Sequence, residues 1–262
     1  MKNMEVLITF ILCLFVGYGY AQDSTILKYE KRSDTLVFKL KSKKITDDEK
    51  KELKKIAFII QNYGQNLGDS KDEYKSSVKY INKAIELFIN LRDTLNQANN
   101  KKFKGYLLGM LGEYPEAKAE TQAAINIYTL KYVFSGVAVS QFDLCRVYDH
   151  ELKIDSAIYY CNLSLNFWKS TNNTWRIFNV ETMLIHLLTK AKQYDRANFT
   201  EKECEKIIEN KGIEPRDLSD FYLVLIQLYT ATNQKNLEKL YQKKLNEIEP
   251  KAGEYISYYK AS

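Results

Sequence analysis

The 262-residue sequence is poor in the residues that form catalytic sites. Its two histidines, His150 and His186, lie too far apart in sequence for an HExxH zinc pair. The CxxC, GxSxG and glycine-rich nucleotide-binding motifs are also missing. We therefore expect no catalytic residues, no cofactor and no metal ion, and we predict that the protein is not an enzyme.

Long hydrophobic runs are missing as well, except for one near the start. Residues 6–16 form an apolar run after Lys2, and the small residues Gly19 and Ala21 follow it. A transmembrane helix needs roughly 20 apolar residues, so this shorter run favours a signal peptide at 1–21. An uncleaved membrane anchor is the alternative. The signal peptide predicts an exported bacterial protein, periplasmic or secreted, with no membrane span after cleavage.

The charge is not concentrated in blocks of one sign. The net charge is +6, and basic residues alternate with acidic ones, as in KKITDDEKKELKK at residues 43–55. Such mixed charge is typical of a solvated helix face, and we predict no nucleic-acid partner. The small positive excess favours an acidic partner.

Prolines, which interrupt helices, number only three. Apolar residues recur at intervals of three and four along the body of the chain, as on one face of a helix. Small residues also recur every 40 residues, at Ser77, Ala117, Ala157 and Ala197. Seven residues after each comes Ala84, Ala124, Ser164 or Cys204, and three residues before each comes Tyr74, Tyr114, Ile154 or Tyr194. Two small residues about two helical turns apart allow a neighbouring helix to approach closely.

This pattern resembles the tetratricopeptide repeat (TPR) family. In GYLLGMLGEYPEAKAETQAAI, the small and aromatic signature positions are Gly105, Gly112, Tyr114, Ala117 and Ala124. The period of 40 differs from the usual 34 residues of that family. The resemblance implies an all-α solenoid of about five helical hairpins, forming a right-handed superhelix over residues 46–250. Residues 22–45 would be a polar lead-in with a short strand near Leu36–Leu40, and residues 251–262 a C-terminal tail.

The glycines of this stretch have other interpretations, which the context excludes. A phosphate-binding loop needs a preceding strand and a Gly-Lys-Ser/Thr ending, and a membrane glycine motif needs an apolar helix around it. The stretch has none of these features. We expect the packing positions to be Gly105, Ala117, Ala124, Ala157, Ser164, Ala197 and Cys204.

Cysteine is scarce, and removal of the signal peptide would leave Cys145, Cys161 and Cys204. Cys145 and Cys161 lie at equal distances from the turn of one predicted hairpin, so their thiols could form a disulfide. Alternatively, both are small buried residues at the contact between the helices, which is the commoner role of free cysteine.

First helices of TPR-like hairpins line a concave groove, and the register predicts which side chains face it. The candidates combine cationic with aromatic residues: Tyr106, Phe142, Arg146, His150, His186, Lys190 and Tyr222. Such a surface suits an acidic or C-terminal peptide segment. The resemblance thus predicts an exported adaptor that binds a protein or peptide partner. A periplasmic sensory component that acts with a separate membrane partner is the alternative.

Overall fold

The computed structural model describes residues 24–210, 212–252 and 257–260. These residues form eleven α-helices and two short 3-10 helices, with no β-strand among them. The helices are α1 (24–41), α2 (Asp47–Leu67), α3 (Tyr74–Asn90), α4 (Thr94–Met110), α5 (Tyr114–Leu130), α6 (Phe134–His150), α7 (Ile154–Ser170), α8 (Thr174–Lys190), α9 (Tyr194–Asn210), α10 (Pro215–Ala231) and α11 (Lys235–Ala252), and the 3-10 helices are Lys71–Glu73 and Tyr258–Lys260. The predicted all-α fold of helical hairpins is confirmed. The predicted signal peptide lies outside the described residues.

The helices have a regular length and spacing. Each helix from α3 to α10 has 17 residues, and from α3 to α9 a new helix begins every 20 residues. The middle residue of the intervening turns has a positive φ, as at Arg92, Gly112, Tyr132, Leu152, Asn172 and Lys192. In the turn after α6, the Lys153 N–H then donates a 2.9 Å hydrogen bond to the Tyr148 carbonyl, which caps the helix end.

The chain divides into two compact units, and the division between Asn100 and Lys101 falls inside α4. The first unit has its own core, in which Leu36, Leu53 and Phe88 are completely buried. Its helix α2 begins with the capping box of Thr46 and Glu49, which satisfies free N–H groups of the first turn. No helix in the described ranges is long and apolar enough to cross a membrane.

Residues 24–41 differ from the sequence-based expectation, because they form a helix rather than a lead-in with a short strand. Ile26, Ser33, Leu36 and Val37 are buried, and they lie on one helical face. Three ion pairs hold this helix from the polar side. Two join it to α2, between Arg32 and Glu52 at 2.7 Å and between Lys39 and Glu49. The third joins Asp34 to Lys83 of α3 at 2.6 Å.

In the second unit, small residues lie where the helices of a hairpin approach. Ala117, Ala124, Ala157, Ser164, Ala197 and Cys204 are completely buried. Gly105 of α4 has no room for a side chain, because a Cβ atom there would clash with Thr121 Oγ1 in α5. Gly109 faces α6, and a Cβ atom would come within 2.9 Å of Val147. This contact gives a packing reason for a glycine that the repeat pattern does not require.

Helices α6 and α7, the first and second helices of one hairpin, are joined covalently. Cys145 and Cys161 form a disulfide, with their Cα atoms 5.3 Å apart. Both residues are also completely buried at the contact between the helices, as the alternative prediction required. That alternative is wrong in one respect, because the two cysteines are not free thiols. Cys204 is a buried free cysteine in α9.

Candidate functional site

The predicted groove residues of α6 and α8 gather around a carboxylate that the sequence analysis did not single out. Asp149 of α6 is almost completely buried. Lys190 Nζ lies 2.7 Å from its Oδ1, and His186 Nε2 lies 3.2 Å from its Oδ2. We call the surface formed by Arg146, Asp149, His150, His186 and Gln227 the α6–α8–α10 site. The predicted cationic cluster therefore has an anion at its centre.

The charge on Asp149 is stabilised by these neighbours. Burial alone would raise the pKa of Asp149, but hydrogen bonds from His186 and Lys190, together with their charges, hold it well below the ordinary value. Asp149 therefore remains a carboxylate at neutral pH. It can accept a further hydrogen bond from a ligand.

The site already accepts a short stretch of the chain itself, residues 257–260. The hydroxyl of Tyr258 donates a 2.8 Å hydrogen bond to Asp149 Oδ2. Ser257 Oγ donates a 2.5 Å hydrogen bond to Asp220 Oδ1 of α10. Two carboxylates thus receive the side-chain hydroxyls of this segment.

The backbone and the second tyrosine of the segment are also held. Gln227 of α10 donates from Nε2 to the Tyr259 carbonyl at 3.1 Å. The other end of the Gln227 amide lies 2.8 Å from His186 Nδ1. Tyr259 is buried, with its hydroxyl 3.7 Å from Met183 Sδ and its ring 5.4 Å from the His186 ring. Burial raises the pKa of both tyrosines, so each hydroxyl keeps its proton.

Arg146 and His150 of α6 border the first tyrosine of the segment. The Arg146 guanidinium lies 4.6 Å from the Phe142 ring centre and 5.5 Å from that of Tyr258, within the range of cation–π attraction. The His150 ring lies 5.0 Å from the Tyr258 ring. Burial lowers the pKa of His150, which favours the neutral imidazole. Arg146 Nε and His150 Nε2 are buried without a hydrogen-bond partner among the described residues.

The remaining groove candidates lie in other surroundings. Tyr106 of α4 is half-buried and stacks on Phe103, with 6.1 Å between ring centres. Tyr222 of α10 packs against Tyr241 of α11 at 5.7 Å. His186, in contrast, belongs to the site, but it is almost completely buried, and it contacts the described residues of the segment through its ring and through Gln227.

Sequence reasoning missed Asp149, Gln227 and the tyrosines of the segment. Asp149 lies three residues after Arg146, on the same helix face, so helical spacing alone could have found it. The tail sequence KAGEYISYYKAS contains three tyrosines in twelve residues. This concentration of aromatic residues is a signal for a docked segment rather than a polar tail.

Comparisons with known proteins identify the fold. No protein-family model matches the sequence, and no curated protein matches it either. BtubC (BKLC) from P. vanneervenii has a TM-score of 0.63 at 16% identity, over 88% of this chain and 93% of its own. TPR-like repeats of a putative kinesin light chain from Podosopora anserina have a TM-score of 0.58 at 14% identity, over 78% and 98%. A single-substitution variant of the latter protein gives 0.59 at 14%, over 76% and 95%.

These structures are TPR-like helical repeats, and this chain shares their fold. In the second unit, α6 pairs with α7, α8 with α9 and α10 with α11. The α6–α8–α10 site therefore lies on the first helix of each of these hairpins. Together with Asp220, it offers two carboxylates, one amide, two imidazoles and a guanidinium. Asp149, His186 and Gln227 are linked by hydrogen bonds, and Asp149, Asp220 and Gln227 also bind the 257–260 segment. Hydrogen-bonding groups of this kind can bind both the backbone and the side chains of a polypeptide.

Proposed function

We propose that this chain is a protein-interaction scaffold that binds an extended segment of a partner protein at the α6–α8–α10 site. The observation that carries the proposal is the 257–260 segment, a polypeptide held there through one backbone carbonyl and two side-chain hydroxyls. First helices from three successive hairpins contribute to the contact. A surface of this kind is common in helical repeat proteins, whose stacked units create extended binding surfaces.

The chemistry of the site favours a segment with hydroxyl groups and aromatic rings. Asp149 and Asp220 both accept hydrogen bonds from the segment. Asp149 and Lys190 form an ion pair and largely neutralise each other. Asp220 and Arg146 add one charge of each sign, so the site has no surplus of positive charge to attract the acidic partner that the sequence favoured. We therefore propose a neutral, tyrosine-bearing segment instead of an acidic one.

We further propose that the scaffold works outside the cytoplasm, after export through the signal peptide at 1–21. The disulfide between Cys145 and Cys161 supports this location, because structural disulfides form and persist in oxidising compartments. Expression in the native host, followed by mass spectrometry of the purified chain, tests the proposal. We expect the mass of a chain that begins at Gln22 and contains one disulfide, which is two hydrogens less than the mass of the same chain with all cysteines reduced.

A capture experiment tests the scaffold function. The chain is immobilised, exposed to envelope extract from its host, and compared with an Arg146→Glu, Lys190→Glu variant. A control carries the same charge change on α9, as Arg196→Glu and Lys202→Glu, where both side chains are exposed. We expect a specific protein to bind the unaltered chain and the control but not the α6/α8 variant. Equal capture by all three chains contradicts the proposed site.

A further inference from the structure

The 257–260 segment is recognised by its side chains and not only by its backbone. Asp149 is an acceptor at neutral pH, so it selects a hydroxyl donor and distinguishes the first tyrosine from phenylalanine. The second tyrosine fills a buried position between Met183 and His186. The site therefore specifies two adjacent tyrosines, each by a different contact.

The segment is nevertheless an incomplete ligand for this site. Arg146 Nε and His150 Nε2, which border Tyr258, have no hydrogen-bond partner among the described residues. A buried polar group without a partner lowers the stability of the complex that contains it. A different segment that placed a carbonyl or hydroxyl oxygen near Arg146 would satisfy the site better.

We propose that the α6–α8–α10 site recognises a pair of adjacent tyrosines in a partner protein, and that residues 257–260 occupy the site until the partner displaces them. This inference rests on the scaffold function proposed above and adds the chemical class of the ligand. The tethered segment has a high effective concentration, on the order of millimolar for a short connection. A partner therefore binds the unaltered chain more weakly than it binds a chain whose own tyrosines are removed.

The test uses a fluorescent peptide with the sequence of residues 254–262, EYISYYKAS, added to the full chain. In the unaltered chain the site is occupied, and in a Tyr258→Ala, Tyr259→Ala variant it is open. Fluorescence anisotropy measures the dissociation constant for each. We expect the peptide to bind the open variant at least about tenfold more tightly than the unaltered chain. Circular dichroism and thermal unfolding verify that the open variant remains folded.

A double-mutant cycle then locates the peptide. In the open variant, Asp149→Asn should weaken binding by about tenfold or more, because a charged acceptor of the first tyrosine is lost. A peptide with phenylalanine in place of that tyrosine should bind about as weakly, and Asp149→Asn should not weaken it further. If the two changes weaken binding independently, the proposed contact with Asp149 is wrong.

A second variant covers the case in which the double alanine chain does not fold. Tyr258→Phe keeps the ring contacts and removes only the hydroxyl, with its 2.8 Å hydrogen bond to Asp149 and its longer contact, 3.4 Å, with the Arg146 carbonyl. The peptide should therefore bind this chain several-fold more tightly than the unaltered one. If the peptide binds neither a folded open variant nor Tyr258→Phe, the segment is a fixed part of the fold and the inference is overturned.

The capture experiment separates this inference from the scaffold function. A captured protein that the tyrosine peptide does not displace would overturn the ligand class and leave the scaffold function intact. A captured protein that the peptide displaces would support both. The absence of any specific capture by the open variant would overturn the scaffold function itself.

Discussion

Helices α8 and α9 form one hairpin and have the same length, but they are buried very differently. In α8, residues 180–188 are buried without interruption, around the whole circumference of the helix. In α9, the buried residues are Ala197, Glu201 and Cys204, which lie on one stripe. Phe199 on the opposite face of α9 is 67% exposed.

The difference shows what complete burial demands of a helix. Because residues 180–188 of α8 are covered on every side, their polar side chains must find partners, and Glu181 pairs with Lys169 at 2.8 Å. His186 binds Gln227 and Asp149 in the same way. Helix α9 needs only a narrow buried stripe, and its remaining face is free to vary. In this hairpin the first helix therefore tolerates fewer substitutions than the second.

The largest expected effect comes from removing the carboxylate that the first helices share. Asp149→Ala leaves His186 and Lys190 without their buried partner, and we expect the free energy of unfolding to fall by about 3 to 4 kcal/mol. The control is Asp155→Ala on α7, where the side chain is exposed, with an expected loss of about 0.5 kcal/mol. Urea unfolding measures both. Equal losses would contradict the contrast between first and second helices.

The pH dependence of stability provides an independent check. The pKa of Asp149 is lower in the folded chain than the ordinary value of about 3.9. Its contribution is therefore fully present above the unfolded pKa and is lost as the pH falls towards the folded value. The difference in stability between the unaltered chain and Asp149→Ala should shrink below about pH 4. A difference that stays constant well below that pH would show that Asp149 acts by packing alone.

The covalent link between a first and a second helix should give the next largest effect. Cys161→Ala removes a disulfide that closes a loop of 16 residues, and we expect a loss of about 3 kcal/mol. Reductant should lower the urea midpoint of the unaltered chain but not that of the variant. Cys204→Ala is the control, because Cys204 is buried but free. If reductant also lowers the midpoint of Cys161→Ala, another sulfur contributes to stability.

Overpacking the small-residue stripe of a second helix should have a moderate effect. Ala157→Leu on α7 places a large side chain at a completely buried position, and we expect a loss of about 2 kcal/mol. Ala119→Leu on α5 makes the same change at an exposed position, with an expected change within about 0.5 kcal/mol. A urea midpoint that is unchanged for Ala157→Leu would show that the register of the stripe is wrong.

The smallest effect concerns the turns between the helices. Leu152 is 75% exposed and has a φ of 59°, a conformation that is costly for residues with a Cβ atom. Leu152→Gly should stabilise the chain by about 0.5 kcal/mol, after glycine's larger loss of backbone entropy is counted. Gly112→Ala makes the reverse change 40 residues earlier, at a φ of 81°, and should destabilise by about 1 kcal/mol. The midpoint temperature of thermal unfolding should rise for Leu152→Gly and fall for Gly112→Ala. If both substitutions shift it in the same direction, the positive φ does not determine which residue these turns favour.

The fold could be predicted because packing imposes a repeating pattern on the sequence. Small residues such as Ala117, Ala157 and Ala197 recur in one register, and all are completely buried. Helix α1 was harder to find, because its buried stripe is sparse and overlaps the alternation of Leu36, Phe38 and Leu40.

The candidate site was less predictable than the fold. Register places Arg146 and His186 on one surface, but it does not reveal that Asp149 pairs with residues of the next hairpin. Recognition of the 257–260 segment depends on contacts between residues about 110 positions apart, such as Tyr258 and Asp149. Such a contact has no periodic signature. Only the three-dimensional arrangement shows it.

The regular spacing of the helices also limits how this chain can change its length. From α3 to α9, every helix with its turn occupies 20 residues, so a single helix is the smallest modular step. Insertion or deletion of one such module would exchange the first-helix and second-helix roles of the helices that follow it and would expose their buried stripes. Only an even number of modules preserves the alternation. The repeat array can therefore become longer or shorter without loss of this alternation when helices are duplicated or lost in pairs.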